Sequence, residues 1–349
     1  MKSSLKLLRK GEYLMRDYPT YSIIVCTLDN ISGLMEFIKT LLRQKYLPED
    51  LIVVHGRPEG NLVNQLLPLL HDTGVRLVYA ACQPGLVHQR NLGLELCKSE
   101  IVMFFDDDVL LEIDYIKNLL DIYKSDPSGA IGGAQGFITN MPESPKLVRF
   151  LKRFFMLYTG YGSGRMYPSG MPSWLSPESD KCETCFFAGC LMSFRMSSIA
   201  NLKFDEKLHP YWWGDDFEFC YRIAQKYLLV QTNKSRLAHK GSSVNKNSFR
   251  RFWRMQVVNH LYIFKKHRRW FEFPFYIWSL SANSIFAVSQ FLKGYGMDGI
   301  LGYLEGLAEI FGIIKTEVPA DKWYRNLVKI GYWDTSKQTE KVKWKETYQ

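Results

Sequence analysis

The sequence predicts an α/β fold: an open, mostly parallel sheet flanked by helices, with a helical C-terminal extension. Three observations predict it. Short β-branched runs alternate with segments of helical period across the first third of the chain. Turn-forming residues fall between them. The polar residues able to do chemistry stand at the carboxyl ends of the apolar runs, where ligands bind in such sheets.

Residues 1–20 are basic and too broken by charge for a signal peptide. SIIVCT (Ser22–Thr27) reads as a buried strand. Asn30 or Ser32 is placed to cap a helix whose apolar positions are Leu34, Phe37, Ile38, Leu41 and Leu42. LIVVH (Leu51–His55) is a second strand, Leu62 to Leu70 a helix, and VRLVY (Val75–Tyr79) a third strand. QPGLVHQRNLGLELCKS turns at Pro84–Gly85 and continues as a helix from about Val87. IVMFF (Ile101–Phe105) is a fourth strand, ending on Asp106, Asp107 and Asp108.

From Met141 the composition changes. KLVRFLKRFFMLY is a basic, aromatic helix candidate, followed by a Gly-, Pro- and Ser-rich loop from Thr159 to Pro177 that suits a lid or acceptor-binding segment. CFFAGCLMSFR (Cys185–Arg195) reads as strand, WWGDDFEFCYRIAQK (Trp212–Lys226) as a turn into a helix, and LAHKG as a strand end. SFRRFWRMQVVNHLYIFKKH is a long basic helix. The domain reading is an extension over 1–20, a domain over 21–268 in two halves (21–140 and 141–268), and a helical region over 269–349.

The chain has 349 residues and a net charge of +10, which favours anionic partners. No nucleic-acid recognition motif accompanies the charge, so a nucleic-acid partner is not expected. The first turn, CTLDNISG, lacks GxGxxG, and no GxxxxGK[ST] follows, which counts against dinucleotide and P-loop sites. Seven cysteines scattered through apolar runs suggest reduced thiols in a cytoplasmic setting. CETC (Cys182–Cys185) has no second CxxC pair and no histidine at finger spacing, so a zinc site is set aside.

Folding gains nothing from three adjacent carboxylates. Hard cations want oxygen ligands, and carboxylates after a strand can bridge Mg²⁺ or Mn²⁺ to substrate phosphates. The rival reading of DDD is a solvated turn.

Five elements in order resemble glycosyltransferase family 2, enzymes with the GT-A fold, from about Tyr21 to His267. They are SIIVCTLDN; QPGLVHQRNLGLELCKSEIVMFFDDDV, with a Pro-Gly turn, an Arg-Asn pair and a DxD motif; CFFAGCLMSFRMSSIANLKFDEKL; WWGDDFEFCYRI; and LAHKG. The resemblance implies an inverting, metal-dependent transfer of a sugar from a nucleotide donor to a hydroxyl acceptor. Asp108 would hold Mn²⁺ or Mg²⁺ on the donor diphosphate, with Asp106 on the ribose or the metal's waters. His239 would be a metal or diphosphate ligand. Thr27 and Asp29 would line the nucleoside pocket, and Arg90 would sit by the base or diphosphate. Asp216 would be the general base, with Asp215 its chief competitor, and Asp107 the aspartate most tolerant of replacement. Duller readings stand beside these: Asp216 as a helix N-cap, His239 packed at a strand end, Arg90 on a helix surface.

One departure from the family pattern is His55, which stands where the family usually carries an acidic residue contacting the base. A neutral histidine can still hydrogen-bond a base, and the nucleotide stays open among UDP-, dTDP- and GDP-sugars. The acceptor expected is a saccharide or a lipid-linked molecule of surface polysaccharide or glycolipid synthesis. The alternatives are a processive polysaccharide synthase, against which the missing QxxRW element counts, and a non-catalytic nucleotide-sugar or membrane-binding protein.

PFYIWSLSANSIFAVSQFL (Pro274–Leu292) carries no charge and follows KKHRRW (Lys265–Trp270). Three readings of it stay open: a helix in the interface of an anionic membrane on the inner face of the cell, a packed helical hairpin, and a true span. The tail from Glu317 is charged and reads as peripheral to the fold.

Overall fold

The computed structural model describes residues 18–58, 61–141, 144–157, 159–175, 180–208, 213–241, 246–291, 296–313, 328–333 and 345–347. The strands are β1 (Tyr21–Thr27), β2 (Asp50–His55), β3 (Arg76–Ala81), β4 (Ile101–Asp106), β5 (Val109–Leu111), β6 (Ile131–Ile138), β7 (Thr159–Gly162), β8 (Ser173–Leu175), β9 (Cys182–Thr184), β10 (Met192–Arg195), β11 (Leu228–His239), β12 (Val328–Trp333) and β13 (Lys345–Thr347). The helices are α1 (Ile31–Leu41), α2 (Leu62–Leu70), α3 (Leu86–Leu96), α4 (Tyr115–Lys124), α5 (Lys146–Phe154), α6 (Met196–Ile199), α7 (Asp215–Ala224), α8 (Lys246–His267), α9 (Phe273–Gln290) and α10 (Asp298–Ile310).

The main sheet runs β13-β12-β3-β2-β1-β4-β10-β6-β11-β5, with β9 beside β11. β3, β2, β1 and β4 are mutually parallel, so Thr27, His55 and Asp106 lie at one edge. These strands are buried along almost their whole length, as strands with helices on both faces must be. One apolar layer packs α1, α2 and α4 on one face. The other takes α3, α7 and the aromatic cluster of Phe104, Phe194, Phe204 and Phe219, in which Phe204 stacks on Phe219 at 4.0 Å. Each such ring or aliphatic side chain removed from water stabilises by about 1.5–3 kcal/mol.

α1 is capped by Asn30, whose Oδ1 accepts from the Gly33 N–H at 3.1 Å. β11 is one 12-residue strand that runs parallel to β6 and ends at His239. Its last three residues pair antiparallel with β5, so the strand end is carried to the aspartate turn.

Three regions differ from the sequence reading. Only Met192–Arg195 of the predicted Cys185–Arg195 strand pairs in the sheet. The segment before it bends because side chains hold its backbone: Ala188 N–H donates to Gln135 and Gly189 N–H to Asp216, which withdraws both groups from a ladder. The Thr159–Pro177 loop contains the two-stranded β7–β8 pair. The tail is not peripheral: β12 adds antiparallel to β3 at the sheet edge, and Trp333 packs against Tyr79. Ile330 and Trp333 supply the buried face that charge counting overlooked. Among the described residues after 269, α9 and α10 are thus accompanied by the edge strands β12 and β13. α8 and α10 lie together, joined by the Arg250–Glu305 and Arg254–Glu309 ion pairs.

Candidate active site

β4 leaves the sheet at Asp106, and the three aspartates diverge. The side chain of Asp106 is partly open, with Arg90 Nη2 at 3.8 Å and His239 Nε2 at 3.9 Å. Burial pushes its carboxyl above the usual range, while Arg90 and His239 pull it down. Asp107 turns back towards β1, accepting from Thr27 Oγ1 at 2.5 Å and Asn30 Nδ2 at 3.0 Å. Burial raises its carboxyl to about 6 despite those two hydrogen bonds. Asp108 lies 3.0 Å from His239 Nε2, and its carbonyl accepts from the Lys240 N–H at 3.0 Å. The hydrogen bond to Asp108 raises the His239 imidazole.

The middle aspartate is thus tied to β1 and to the cap of α1 by two side-chain hydrogen bonds. Thr27 is buried, with its hydroxyl committed to Asp107.

The polar triplet Gln89-Arg90-Asn91 on α3 is buried whole. Gln89 Nε2 donates to the carbonyls of Thr27 (3.1 Å) and Val54 (2.9 Å), tying the ends of β1 and β2. Asn91 exchanges hydrogen bonds with the backbone of Phe204 and reaches Glu206, which fixes the Phe-Asp-Glu segment. Arg90, only 4% exposed, donates to Asp215 at 2.5 Å and to the Gly189 carbonyl at 3.1 Å. It is buried between Asp215 and Gly189 rather than standing on a helix surface. Sequence reading missed Gln89 and Asn91 as scaffold residues. The available signal was four consecutive polar residues, His88–Asn91, set between Leu86–Val87 and Leu92 in one helix.

Gly214, at φ +98°, turns the chain into α7. The two aspartates that follow part company. Asp215 is buried against Arg90. Asp216 is half-buried, accepting from the N–H groups of Gly189 (3.0 Å) and Phe217 (2.8 Å), and among the described residues no cation lies within ion-pair distance of it. Burial, then the Asp215 charge, raise its carboxyl to about 6, against Arg90 and the two N–H groups. Gly189 serves both neighbours, one through its carbonyl and one through its N–H. A β-carbon there would meet Arg90 Nη2 at 2.6 Å, so any larger residue requires the guanidinium to shift from its place beside Asp215. Glu218 points away, buried among Arg222, Lys266 and His267.

Two other predicted residues lie differently. His55 is buried, with Nδ1 on the Tyr79 hydroxyl and Nε2 on the Leu28 carbonyl, both at 2.9 Å. Both ring nitrogens are engaged within the fold, and burial lowers its pKa. Asp29 is exposed, paired with Arg57 at 2.6 Å.

Among the described residues, the ligand atoms that converge within 4.8 Å of one another belong to Asp106, His239 and Cys190, while Asp108 adjoins the group through its 3.0 Å contact with His239. Burial holds the Cys190 thiol protonated, so it lines the site as a neutral wall.

The chain is similar in sequence and in fold to known sugar transferases. The chain is 30% identical over 119 residues to a glucosyl-dolichyl phosphate glucuronosyltransferase of Haloferax volcanii, covering 32% of this chain and 37% of that protein. It therefore spans just over a third of that relative's length. It is 23% identical over 212 residues to the uncharacterized glycosyltransferase YwdF of Bacillus subtilis, covering 59% of this chain and 68% of that one. Its fold matches the mannosyltransferase PcManGT of Pyrobaculum calidifontis, solved with GDP-Man and Mn²⁺, at a TM-score of 0.52 and 15% identity over 84% of this chain and 88% of that one. The sheet is the GT-A fold. The family profile described as "Glycosyl transferase family 2" matches residues 22–199, from β1 through α6. With half of the chain matched in this way, the protein belongs to glycosyl transferase family 2.

Proposed function

We propose that the protein transfers one sugar from a nucleoside diphosphate donor to a hydroxyl acceptor in a single inverting displacement. The observation that carries the reading is the unequal fate of the adjacent aspartates: Asp215 is consumed by Arg90, while among the described residues Asp216 accepts only from N–H groups. Asp216 is therefore the general base and Asp215 a support. A carboxyl raised to about 6 is ionised at neutral pH yet basic enough to take a proton in the transition state.

Asp106, Asp108 and His239 would hold Mn²⁺ or Mg²⁺, which supplies charge neutralisation of the donor diphosphate as it departs. Asp216 takes the proton of the acceptor hydroxyl. The freed oxygen bonds to the anomeric carbon as the bond from that carbon to the diphosphate oxygen breaks. Attack opposite the leaving group inverts the centre. The Arg90–Gly189 hydrogen bond keeps the Gly189 N–H aimed at Asp216, holding the carboxylate in one orientation. Thr27 and Asn30 fix the DxD turn through Asp107, and Asp29 flanks the donor side.

PcManGT's complex with GDP-Man and Mn²⁺ supports a metal-assisted nucleotide-sugar donor. The dolichyl phosphate relative supports a lipid-linked acceptor in glycolipid or surface polysaccharide assembly. The test is a panel of UDP-, dTDP- and GDP-sugars with Mn²⁺, scored by nucleoside diphosphate release and by the anomeric configuration of the product. Silence across the panel, with no nucleotide binding by calorimetry, overturns the reading. Retention of configuration overturns the single displacement.

A further inference from the structure

α5 has no buried residue. Its apolar side chains Leu147, Phe150 and Phe154 all stand exposed, Phe150 by 63%. They form one surface with α9. Phe150 stacks on Phe154 at 6.2 Å, Phe154 meets Trp278 edge-on at 5.6 Å, and Trp278 Nε1 donates to the Phe154 carbonyl at 3.2 Å. Ile285 and Val288 continue the exposed line along α9, a helix of 18 residues with no charged side chain. A solvated helix face normally carries charge. Among the described residues no helix is long and apolar enough to cross a membrane.

The positive charge beside this band comes from α5, where Lys146, Arg149, Lys152 and Arg153 stand in nine residues without an acid. The Lys265–Arg269 run contributes less than its sequence suggests. Lys266 and His267 are held by Glu218, and Arg268 by Glu272.

We infer that the α5–α9 face seats on an anionic lipid bilayer, its rings and aliphatic chains in the headgroup boundary and its lysines and arginines at phosphate level. Charge complementarity selects this occupant. A second copy of the same face would set the exposed Lys146 and Arg153 cations against their own kind, whereas lipid phosphate neutralises them. The assay uses no nucleotide, so its outcome is separate from that of the transferase reading.

The test is co-sedimentation of the full chain with phosphatidylcholine vesicles, with and without about 30% phosphatidylglycerol, over a salt series. The expected result is binding to the anionic vesicles that falls at least about tenfold on neutral vesicles or in high salt. Ile285→Glu and the double variant Lys146→Glu/Arg153→Glu should each lose about tenfold or more, with melting temperature unchanged because all three sites are exposed. No binding, or equal binding by these variants, overturns the inference. So does a dimer in light scattering that Ile285→Glu splits while vesicles are ignored, which would assign the face to a second copy.

Discussion

The floor beneath the cleft and its rim are built from the same residue types and do opposite things. On the floor, Arg90, Asp215, Gln89 and Asn91 are buried and fully committed to one another or to backbone. On the rim, Asp106, Asp108, His239 and Asp216 are partly open. Asp215 and Asp216 show that residue type does not decide the role. One carboxylate faces a guanidinium it cannot leave, and its neighbour faces N–H donors that leave it basic. A buried charge must be paired, so the floor's charges are structural. The rim's charges stay exposed at some cost to the fold, which is where chemistry is expected.

The largest effect should come from the rim. Asp216→Asn should lower kcat by about 10³-fold with donor KM unchanged. The same variant should melt no lower than the parent. The carboxyl of Asp216 is raised on folding, so the folded chain binds that proton more tightly than the unfolded one. Its ionised form then works against folding at neutral pH, and stability recovers as pH falls through about 6. In the parent, kcat/KM should fall about tenfold per unit below pH 6 and level off above it. A dead Asp215→Asn beside an active Asp216→Asn would reverse the assignment.

The floor should respond in stability instead. Arg90→Ala strands Asp215 as an unpaired buried charge, at a cost of about 3–5 kcal/mol in urea unfolding. Adding Asp215→Asn should recover a good part of that loss, because the stranded charge is gone. If Arg90→Ala leaves stability intact and raises donor KM alone, Arg90 belongs to the rim and the division fails.

Asp107 tests the boundary between the two. It sits in the DxD turn, yet its carboxylate is spent on Thr27 and Asn30. Asp107→Ala should cost about 1–3 kcal/mol by leaving the buried Thr27 hydroxyl unsatisfied. It should also weaken metal-dependent donor binding less than Asp108→Asn does. Calorimetric titration of the donor with Mn²⁺ separates the two variants.

What was legible in the sequence follows from locality. The parallel strands, the Asn30 cap, the aspartate turn and the Gly214 turn into α7 are local patterns, and the structure forms them where the sequence placed them. Partnerships between distant residues are not written in any window. Arg90 and Asp215 are 125 positions apart, so their pairing could not be read from the sequence around either one. The partners of His55 are hidden for the same reason: Tyr79 and Leu28 come from other strands and loops. The tail was misjudged because a short edge strand needs only a few apolar residues, and Ile330 and Trp333 suffice amid charge.

The smallest expected effect sharpens the comparison from the outside. Asp29 and Arg57 form an ion pair with side chains 62% and 52% exposed, so solvent screens it. Asp29→Ala should change stability by no more than about 0.5 kcal/mol. If Asp29 lines the nucleoside pocket, the same substitution should raise donor KM several-fold while leaving kcat alone, the pattern of a contact made equally in ground and transition states. Arg57→Ala then tells the two partners apart. Freeing Asp29 from its cation should leave KM unchanged or lower it if the carboxylate touches the ribose. It should mimic Asp29→Ala if the pair only holds the loop after β2. Donor KM unmoved in both variants removes Asp29 from the rim and leaves the nucleoside to the Thr27–Asn30 turn.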